Sequence, residues 1–134
     1  MQYTKIVTSF LKNQEKILIL KRSDNVKSMK GLWGGVSGII ENDETPLERA
    51  KIEIFEEAGI GENEIKLLKS GIELDIISPQ YRNHKWHVFP FLFQTNSVKI
   101  NLNWENSDFK WIGTNEIEKF QTVPNLEKVL LALI

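Results

Sequence analysis

The chain has 134 residues, with 17 Lys and Arg against 18 Asp and Glu, a formal net charge of −1, and 41% hydrophobic residues. This length and composition predict one soluble globular domain, and so small a net charge gives no general attraction to nucleic acid or to an anionic membrane. The absence of cysteine excludes disulfides, cysteine-ligated zinc and thiol catalysis.

No targeting or membrane-spanning segment is visible in the sequence. The first residues lack the apolar run of a signal peptide. The longest apolar run, residues 129–134, is far shorter than the roughly 20 residues that a spanning helix needs. We therefore expect a cytoplasmic protein without a membrane or nucleic-acid partner, and the sequence leaves open whether it is a monomer or a homodimer.

The first quarter of the chain predicts a β-hairpin followed by a glycine-rich loop. Residues 6–11 and 16–21 are short β-branched and apolar runs separated by a polar turn, which is typical of two paired strands. Residues 23–30 are polar, and four glycines fall within residues 31–38. That density of glycine indicates a tight turn, a close approach to a ligand, or both.

The most clearly marked element is a helix between Thr45 and Gly59. Thr45 is a favourable N-cap, Pro46 suits the first helical turn, and Glu48 completes a capping box. Gly59 can adopt the left-handed conformation that ends a helix. One apolar stripe at helical spacing predicts the face that packs on a core, and its members are Leu47, Ala50, Ile54 and Ala58.

The segment after this helix predicts further strands. Residues 65–77 alternate loosely between apolar and polar side chains, so they form one strand or two. Residues 86–93 are rich in aromatic side chains and predict a buried strand. Pro90 interrupts that run, and because proline cannot donate to a β-ladder we expect a sheet edge or a bulge there.

The end of the chain predicts one more strand and two helices. The strand covers residues 109–112, a weak helix covers residues 115–120, and a C-terminal helix covers residues 125–134. Strands before and after a central helix predict a mixed α/β domain built in layers.

Three glutamates of the central helix, Glu53, Glu56 and Glu57, carry the chemical signal. At about 100° per residue their i, i+3 and i+4 spacing places them on one face, where their charges repel one another. A hard divalent cation removes this repulsion, and Mg²⁺ prefers oxygen ligands. A solvated acidic face is the ordinary alternative, but the residues around the triplet favour a metal site.

These residues have the spacing of a known motif, G-x5-E-x7-R-E-U-x-E-E-x-G-U, in which U is a bulky aliphatic residue. The matching positions are Gly38, Glu44, Glu53, Ile54, Glu56, Glu57, Gly59 and Ile60. Only Ile52 departs, because it stands where the motif has arginine. The chain therefore resembles the Nudix hydrolase family. The resemblance implies a single Nudix domain over residues 1–134, an α/β/α sandwich with a mixed sheet in which the motif forms a loop and a helix.

The resemblance also implies a Mg²⁺-dependent hydrolase, with Mn²⁺ as a substitute, that cleaves a phosphoanhydride bond of a nucleotide or another diphosphate by water attack on phosphorus. Glu56 and Glu57 are then metal ligands, and Glu53 is a further ligand or positions or deprotonates the attacking water. A backbone carbonyl at Ser37 or Gly38 completes the metal shell. No accessory motif identifies the substrate, so a nucleoside triphosphate is the default expectation.

Residues outside the motif give further candidates. Glu105, in a polar loop, is a candidate catalytic carboxylate, with an ordinary loop glutamate as an equal alternative. Arg22, at the end of the second predicted strand, resembles a position that contacts substrate phosphate, with a surface cation as the alternative. Trp33 and Tyr81 are candidates for stacking on a substrate base, as is Trp86, although most such aromatic residues belong to a core.

The departure at Ile52 bears on activity. In the family, the arginine of the motif holds the catalytic glutamates and reduces their repulsion, which isoleucine cannot do. Arg49 lies four residues before Glu53 on the same helical face and is a candidate substitute. Glu44 is expected to stabilise the joint between loop and helix. Three interpretations follow: an active hydrolase, a degenerate Nudix module that binds a nucleotide or a partner with little or no turnover, or a structural or interaction protein in which the motif is coincidental.

Overall fold

A computed structural model describes residues 2–77 and 83–134 of the chain. In these ranges the strands are β1 Gln2–Asn13, β2 Lys16–Arg22, β3 Trp33–Gly34, β4 Val36–Ile39, β5 Ile65–Ser70, β6 Leu74–Ile77, β7 His84–Thr95 and β8 Asn106–Gly113. The α-helices are α1 Pro46–Ala58 and α2 Leu126–Leu131, and 3₁₀ helices cover Glu62–Glu64 and Thr114–Lys119. No helix within the described ranges is long and apolar enough to cross a membrane.

The strands form one mixed sheet with the order β3-β2-β1-β7-β5. β1 and β7 are parallel neighbours at its centre, whereas the other pairings are antiparallel. Three further strands extend the sheet, because β4 pairs with β1, β6 with β7 and β8 with β2. The mixed sheet predicted from the sequence is therefore confirmed.

Helices cover both faces of this sheet. Successive residues of β1 alternate between two buried clusters, with Phe10 in one and Leu11 in the other. The first cluster includes the α2 residues Leu126, Val129 and Leu130. The second includes the α1 residues Ala50, Ile54 and Ala58. Since neighbouring strand residues point to opposite faces, α1 and α2 lie on opposite sides, which confirms the α/β/α sandwich.

Helix α1 begins and ends where the sequence predicts. The Thr45 hydroxyl oxygen accepts a hydrogen bond of 3.1 Å from the backbone N–H of Glu48, and Pro46 occupies the first turn. Gly59 takes the left-handed conformation at φ 73°, and its N–H donates to the carbonyl oxygen of Phe55 at 3.0 Å. These caps fix the helix relative to the loop before it, and therefore fix its three glutamates.

The prediction of a sheet edge at Pro90 is wrong. β7 is an interior strand, with β1 on one side and both β5 and β6 on the other, so residues 65–77 form two strands. The Gly71 N–H donates to the Pro90 carbonyl at 2.9 Å, so the Pro90 nitrogen faces the break between β5 and β6. Proline is tolerated there because the interrupted ladder requires no N–H. The irregular register lies nearby in β5, between Leu67 and Lys69.

Other predicted elements differ mainly in length. The weak helix predicted over residues 115–120 is the 3₁₀ helix Thr114–Lys119, and the C-terminal helix covers Leu126–Leu131 rather than residues 125–134. The strand predicted over residues 109–112 extends over Asn106–Gly113, since pairing with β2 continues past its apolar centre.

Candidate active site

Three carboxylates from two elements meet beside helix α1. Glu53 and Glu57 come from α1, and Glu105 comes from the loop that precedes β8. One oxygen of each lies within 4.8 Å of the others. The structure therefore brings together three of the four glutamates that the sequence singled out, including Glu105 from a distant part of the chain.

Glu56, the fourth glutamate, takes a different position. It is exposed and lines the adjoining cavity, but its carboxylate is not part of the three-carboxylate group. The difference follows from helical geometry. Glu53 and Glu57 lie beside the buried stripe of α1, whereas Glu56 is about 100° around the helix from Glu57 and points toward solvent. Its predicted role as a metal ligand stays a prediction.

Glu57 is the most deeply buried member of the group, with 4% of its surface exposed. Its Oε1 accepts a hydrogen bond of 3.0 Å from Asn106 Nδ2, whereas its Oε2 is buried without a hydrogen-bond partner among the described residues. Burial raises the pKa of Glu57 well above its usual range, and the Asn106 amide opposes that rise. A buried oxygen without a donor is costly, and the described residues form no salt bridge with Glu57.

Two opposing effects act on the pKa of Glu53. Burial raises its pKa, and the hydrogen bond from Arg49 acts in the opposite direction. The carboxyls of Glu53 and Glu57 can share a hydrogen bond only while one of them is protonated. Ionisation of both carboxyls is disfavoured by their mutual repulsion and favoured by nearby positive charge, of which Arg49 supplies one at Glu53.

The glycine at position 38 makes room for Glu53. A Cβ on Gly38 would lie 2.5 Å from Glu53 Oε2 and closer still to its Cγ and Cδ. Gly38 belongs to β4, which pairs with β1 through Gly38 and Val7. The glycine-rich stretch thus allows a close approach between β4 and a site carboxylate, and a larger residue at position 38 would force the Glu53 side chain or the β4 backbone to move. The predicted approach to a ligand stays a prediction.

Glu44 lies at the joint between the loop and α1, as the resemblance implied. Its carboxylate accepts a hydrogen bond of 2.9 Å from the Glu41 N–H and pairs with the Arg49 guanidinium. The hydrogen bond from Arg49 lowers the pKa of Glu44. Ile52, by contrast, is 39% exposed and takes no part in this network.

A cavity of about 430 Å³ adjoins the carboxylates, a size that is ordinary for a small-molecule site. One part of its lining is polar and comes from α1, β4, the end of β2 and the loop before β8: Arg22, Ser37, Gly38, Glu53, Glu56 and Glu105. The other part is apolar and comes from the sheet face and α2: Ile6, Ile76, Trp86, Val88, Leu126 and Val129. The cavity can thus receive a ligand that has a polar group at the carboxylate end and an apolar or aromatic group at the other.

Two of the remaining predicted residues line this cavity. Arg22 does so while its Nε donates to the Ser28 carbonyl at 3.2 Å. The hydroxyl of Ser37 shares a hydrogen bond of 3.1 Å with the Thr8 hydroxyl, and both residues line the cavity. Tyr81 lies outside the described residues.

Trp33 lies in the core, away from the cavity. It is 8% exposed, packs edge-to-face on Phe120 with ring centroids 5.5 Å apart, and carries the Lys110 ammonium 5.8 Å from its ring. It does not line the cavity described above. Pairing of β3 with β2 turns the ring into the core, and the predicted stacking of Trp33 on a substrate stays a prediction.

Sequence reasoning missed two residues of the site. Trp104 lines the cavity with 63% of its surface exposed, and Asn106 holds Glu57. The only sequence signal for either is adjacency to Glu105. Trp86, a stacking candidate from the sequence, also lines the cavity, and the His84 ring packs on it with centroids 4.2 Å apart and planes tilted by 39°.

Comparison with known proteins gives a consistent result. A family model described as the NUDIX domain matches residues 2–133. The chain is 29% identical over 136 aligned positions to a dihydroneopterin triphosphate diphosphatase of Haemophilus influenzae, covering 92% of this chain and 82% of the relative. It is 30% identical over 112 positions to an RNA pyrophosphohydrolase of Bartonella bacilliformis, covering 71% of this chain and 65% of that relative.

Solved structures share the fold. A MutT protein from Methanosarcina mazei Go1 superposes with a TM-score of 0.76 at 20% sequence identity, covering 97% of this chain and 91% of that one. At this identity the likeness concerns the arrangement of strands and helices. It agrees with the sheet order and the two helical layers described above.

Proposed function

The chain belongs to the Nudix hydrolase family, and from this premise we propose that it hydrolyses a phosphoanhydride bond of a nucleotide-linked diphosphate with a bound divalent cation, Mg²⁺ or Mn²⁺. The observation that carries the proposal is the group formed by Glu53, Glu57 and Glu105 beside a cavity of about 430 Å³. The names of both relatives denote cleavage of diphosphate or pyrophosphate groups, which supports the same class of bond here.

The residues present fit a hard divalent cation. The donor set consists of carboxylate oxygens, which Mg²⁺ and Mn²⁺ prefer. The buried Oε2 of Glu57 has no hydrogen-bond donor among the described residues, and a cation would satisfy it. Glu53, Glu57 and Glu105 would hold the ion, with a backbone carbonyl of Ser37 or Gly38 as a further candidate ligand from the cavity wall.

When bound, such an ion neutralises charge on a diphosphate and lowers the pKa of bound water. The chain's own residues supply position and charge around it. Arg22 places a guanidinium on the cavity wall, where it can bind phosphate oxygens. Glu56 adds a further carboxylate to the cavity wall, beside Glu53 and Glu105. One of these carboxylates would accept the proton of the attacking water. Gly38 lets β4 approach Glu53 closely, which limits the movement of that carboxylate.

The apolar part of the cavity supports a substrate with an aromatic ring. Trp86 and Val88 offer a flat apolar surface on the sheet, and the exposed Trp104 stands beside Glu105. A cavity of about 430 Å³ and a net charge of −1 favour a small nucleotide over a nucleic acid. The single domain, the cytoplasmic location and the state as monomer or homodimer stay predictions.

A hydrolysis panel tests this proposal. Purified protein is incubated with Mg²⁺ or with a chelator on nucleoside triphosphates, dinucleoside polyphosphates, nucleotide sugars and 5′-triphosphate RNA, and the products are separated. We expect cation-dependent turnover of at least one small nucleotide. Glu57→Gln and Glu105→Gln should each lower kcat by at least about 100-fold. Each substitution removes a negative charge that would hold the cation, and the cation stabilises the transition state.

Glu118→Gln is the matched control, because Glu118 is an exposed glutamate of the second 3₁₀ helix and lies outside the cavity lining. It should retain wild-type turnover. Wild-type activity no higher than that of Glu57→Gln across the whole panel would contradict the hydrolase proposal and would support the alternative of a binding module with little or no turnover.

A further inference from the structure

Arg49 joins two carboxylates that belong to different parts of the motif. Its Nε donates to Glu44 Oε2 at 2.8 Å, its Nη1 donates to Glu53 Oε2 at 2.9 Å, and its Nη2 donates to Glu44 Oε1. The guanidinium therefore grips Glu44 with two nitrogens and Glu53 with the third. A planar fork with donors on several edges can do this, whereas a lysine ammonium acts as a single point charge.

The network is largely shielded from solvent. The side chains of Arg49, Glu44 and Glu53 are 12%, 17% and 10% exposed. Because hydrogen bonds between ionised groups strengthen as water is excluded, these contacts restrict Glu53 more than a surface ion pair would. Glu44 is itself fixed by the Glu41 N–H, so the restraint on Glu53 leads back to the loop before α1.

The position that carries arginine in the motif contributes nothing comparable here. Ile52 is apolar and 39% exposed, and its neighbours one turn away on α1 include Arg49. The positive charge beside the glutamates is therefore supplied by Arg49, three residues before the position where the motif has arginine. From there it reaches Glu53 along the i, i+4 direction.

We propose that Arg49 is a positioning residue that holds Glu53 in place for cation binding by fastening it to Glu44. The proposal rests on the hydrolase function proposed above. Arg49 is not among the described residues that line the cavity, so it acts through Glu53 rather than on substrate. Hydrogen-bond partners of metal ligands that lie outside the coordination shell contribute about 10- to 100-fold to metal affinity or activity.

The test compares Arg49→Met, which keeps the length of the side chain without its charge, with Lys51→Met as the matched control. Lys51 lies on the same helix, but its ammonium pairs with Glu62 at 3.5 Å, away from the carboxylate group. For Arg49→Met we expect kcat to fall about 10- to 100-fold and the Mn²⁺ dissociation constant to rise by about 10-fold or more, with KM unchanged within about two-fold. Lys51→Met should match wild type in all three.

Arg49→Lys is the second variant, and it separates the loss of positioning from a folding defect. It keeps the charge but loses the double grip, so we expect a native circular dichroism spectrum together with a kcat about 10-fold below wild type. Wild-type kcat and Mn²⁺ affinity in this variant would overturn the proposal, and so would a rise in KM with unchanged kcat in Arg49→Met.

Mn²⁺ binding, measured by electron paramagnetic resonance, needs no turnover. If wild type binds Mn²⁺ but hydrolyses nothing in the panel, the proposed function fails. The Mn²⁺ binding measurement still decides the role of Arg49. Weaker Mn²⁺ binding by Arg49→Met than by wild type supports the proposal, and unchanged binding contradicts it.

Discussion

Replacement of Gly38 by alanine should damage the site without removing any of its charged groups. The added Cβ would lie 2.5 Å from Glu53 Oε2 and closer to Glu53 Cγ and Cδ. Ordinary non-bonded contacts of carbon lie at about 3.5–4.0 Å, so one of the two groups must move by about 1 Å. The backbone at Gly38 is held by the ladder with β1, and the carboxylate of Glu53 is held by Arg49.

The size of the effect follows from that displacement. A misplacement of about 1 Å in a reacting constellation costs about 100-fold in rate, and overpacking of a filled site costs about 1–3 kcal/mol of stability. We therefore expect Gly38→Ala to lower kcat by about 100-fold while the protein still folds. The loss is larger in kcat than in KM, because Glu53 would hold the cation rather than the substrate base.

Gly34→Ala is the matched control. Its Cβ would meet only Val123 side-chain atoms at 3.7 Å, which is an ordinary contact. The assay measures steady-state turnover of the best substrate of the panel, with thermal unfolding of each variant as the measure of stability. Wild-type kcat in Gly38→Ala, or equal losses in both variants, would refute the argument that close approach of β4 positions Glu53.

Two further predictions concern the pH dependence of stability and the cavity wall. Burial raises the pKa of Glu57 above its usual value of 4.5, so in the folded, metal-free protein Glu57 keeps its proton to a higher pH than in the unfolded chain. The contribution of protonated Glu57 to stability is complete below pH 4.5 and is lost as pH rises through the raised pKa of the folded protein. In chelator, the melting temperature of wild type should therefore fall over that pH range, and that of Glu57→Gln should fall less. Parallel plots of melting temperature against pH for the two proteins would contradict this. Trp86→Ala should raise KM for a base-containing substrate by about 10-fold with kcat nearly unchanged, whereas Trp33→Phe should leave KM unchanged, and the reverse pattern would return Trp33 to the substrate site.

The sequence predicted the bounds of the central helix and the common face of Glu53 and Glu57 well, because both depend on local spacing. Thr45 and Gly59 mark the ends of α1 through hydrogen bonds made within a few residues, and the i, i+4 spacing of Glu53 and Glu57 determines their common face. Such features are set by the geometry of a helix and need no knowledge of tertiary structure.

Features that depend on distant contacts were harder to predict. Pro90 indicated an edge because its missing N–H is tolerated there, yet the break between β5 and β6 satisfies the same requirement in the middle of the sheet. Trp33 lies in a glycine-rich stretch typical of ligand contact, but pairing of β3 with β2 turns its ring into the core. No local pattern records which strand will lie beside a given residue.

The same limit applies to Glu105, the third member of the carboxylate group. Glu105 could be named only by resemblance, and its approach to Glu53 and Glu57 depends on the pairing of β8 with β2. Asn106, which donates to Glu57, follows from that register and from no motif. Arg49 was foreseeable as a neighbour of Glu53 on the helix, but its simultaneous grip on Glu44 required the folded loop.

The central claim is that Glu53, Glu57 and Glu105 together hold a divalent cation. Anomalous diffraction from crystals soaked in Mn²⁺ measures this most directly, because the scattering locates the ion without any assay of turnover. We expect an anomalous peak within about 2.0–2.4 Å of oxygens from these three side chains in wild type, and its loss in Glu57→Gln. A Mn²⁺ peak elsewhere, or an unchanged peak in Glu57→Gln, would contradict the proposed cation site.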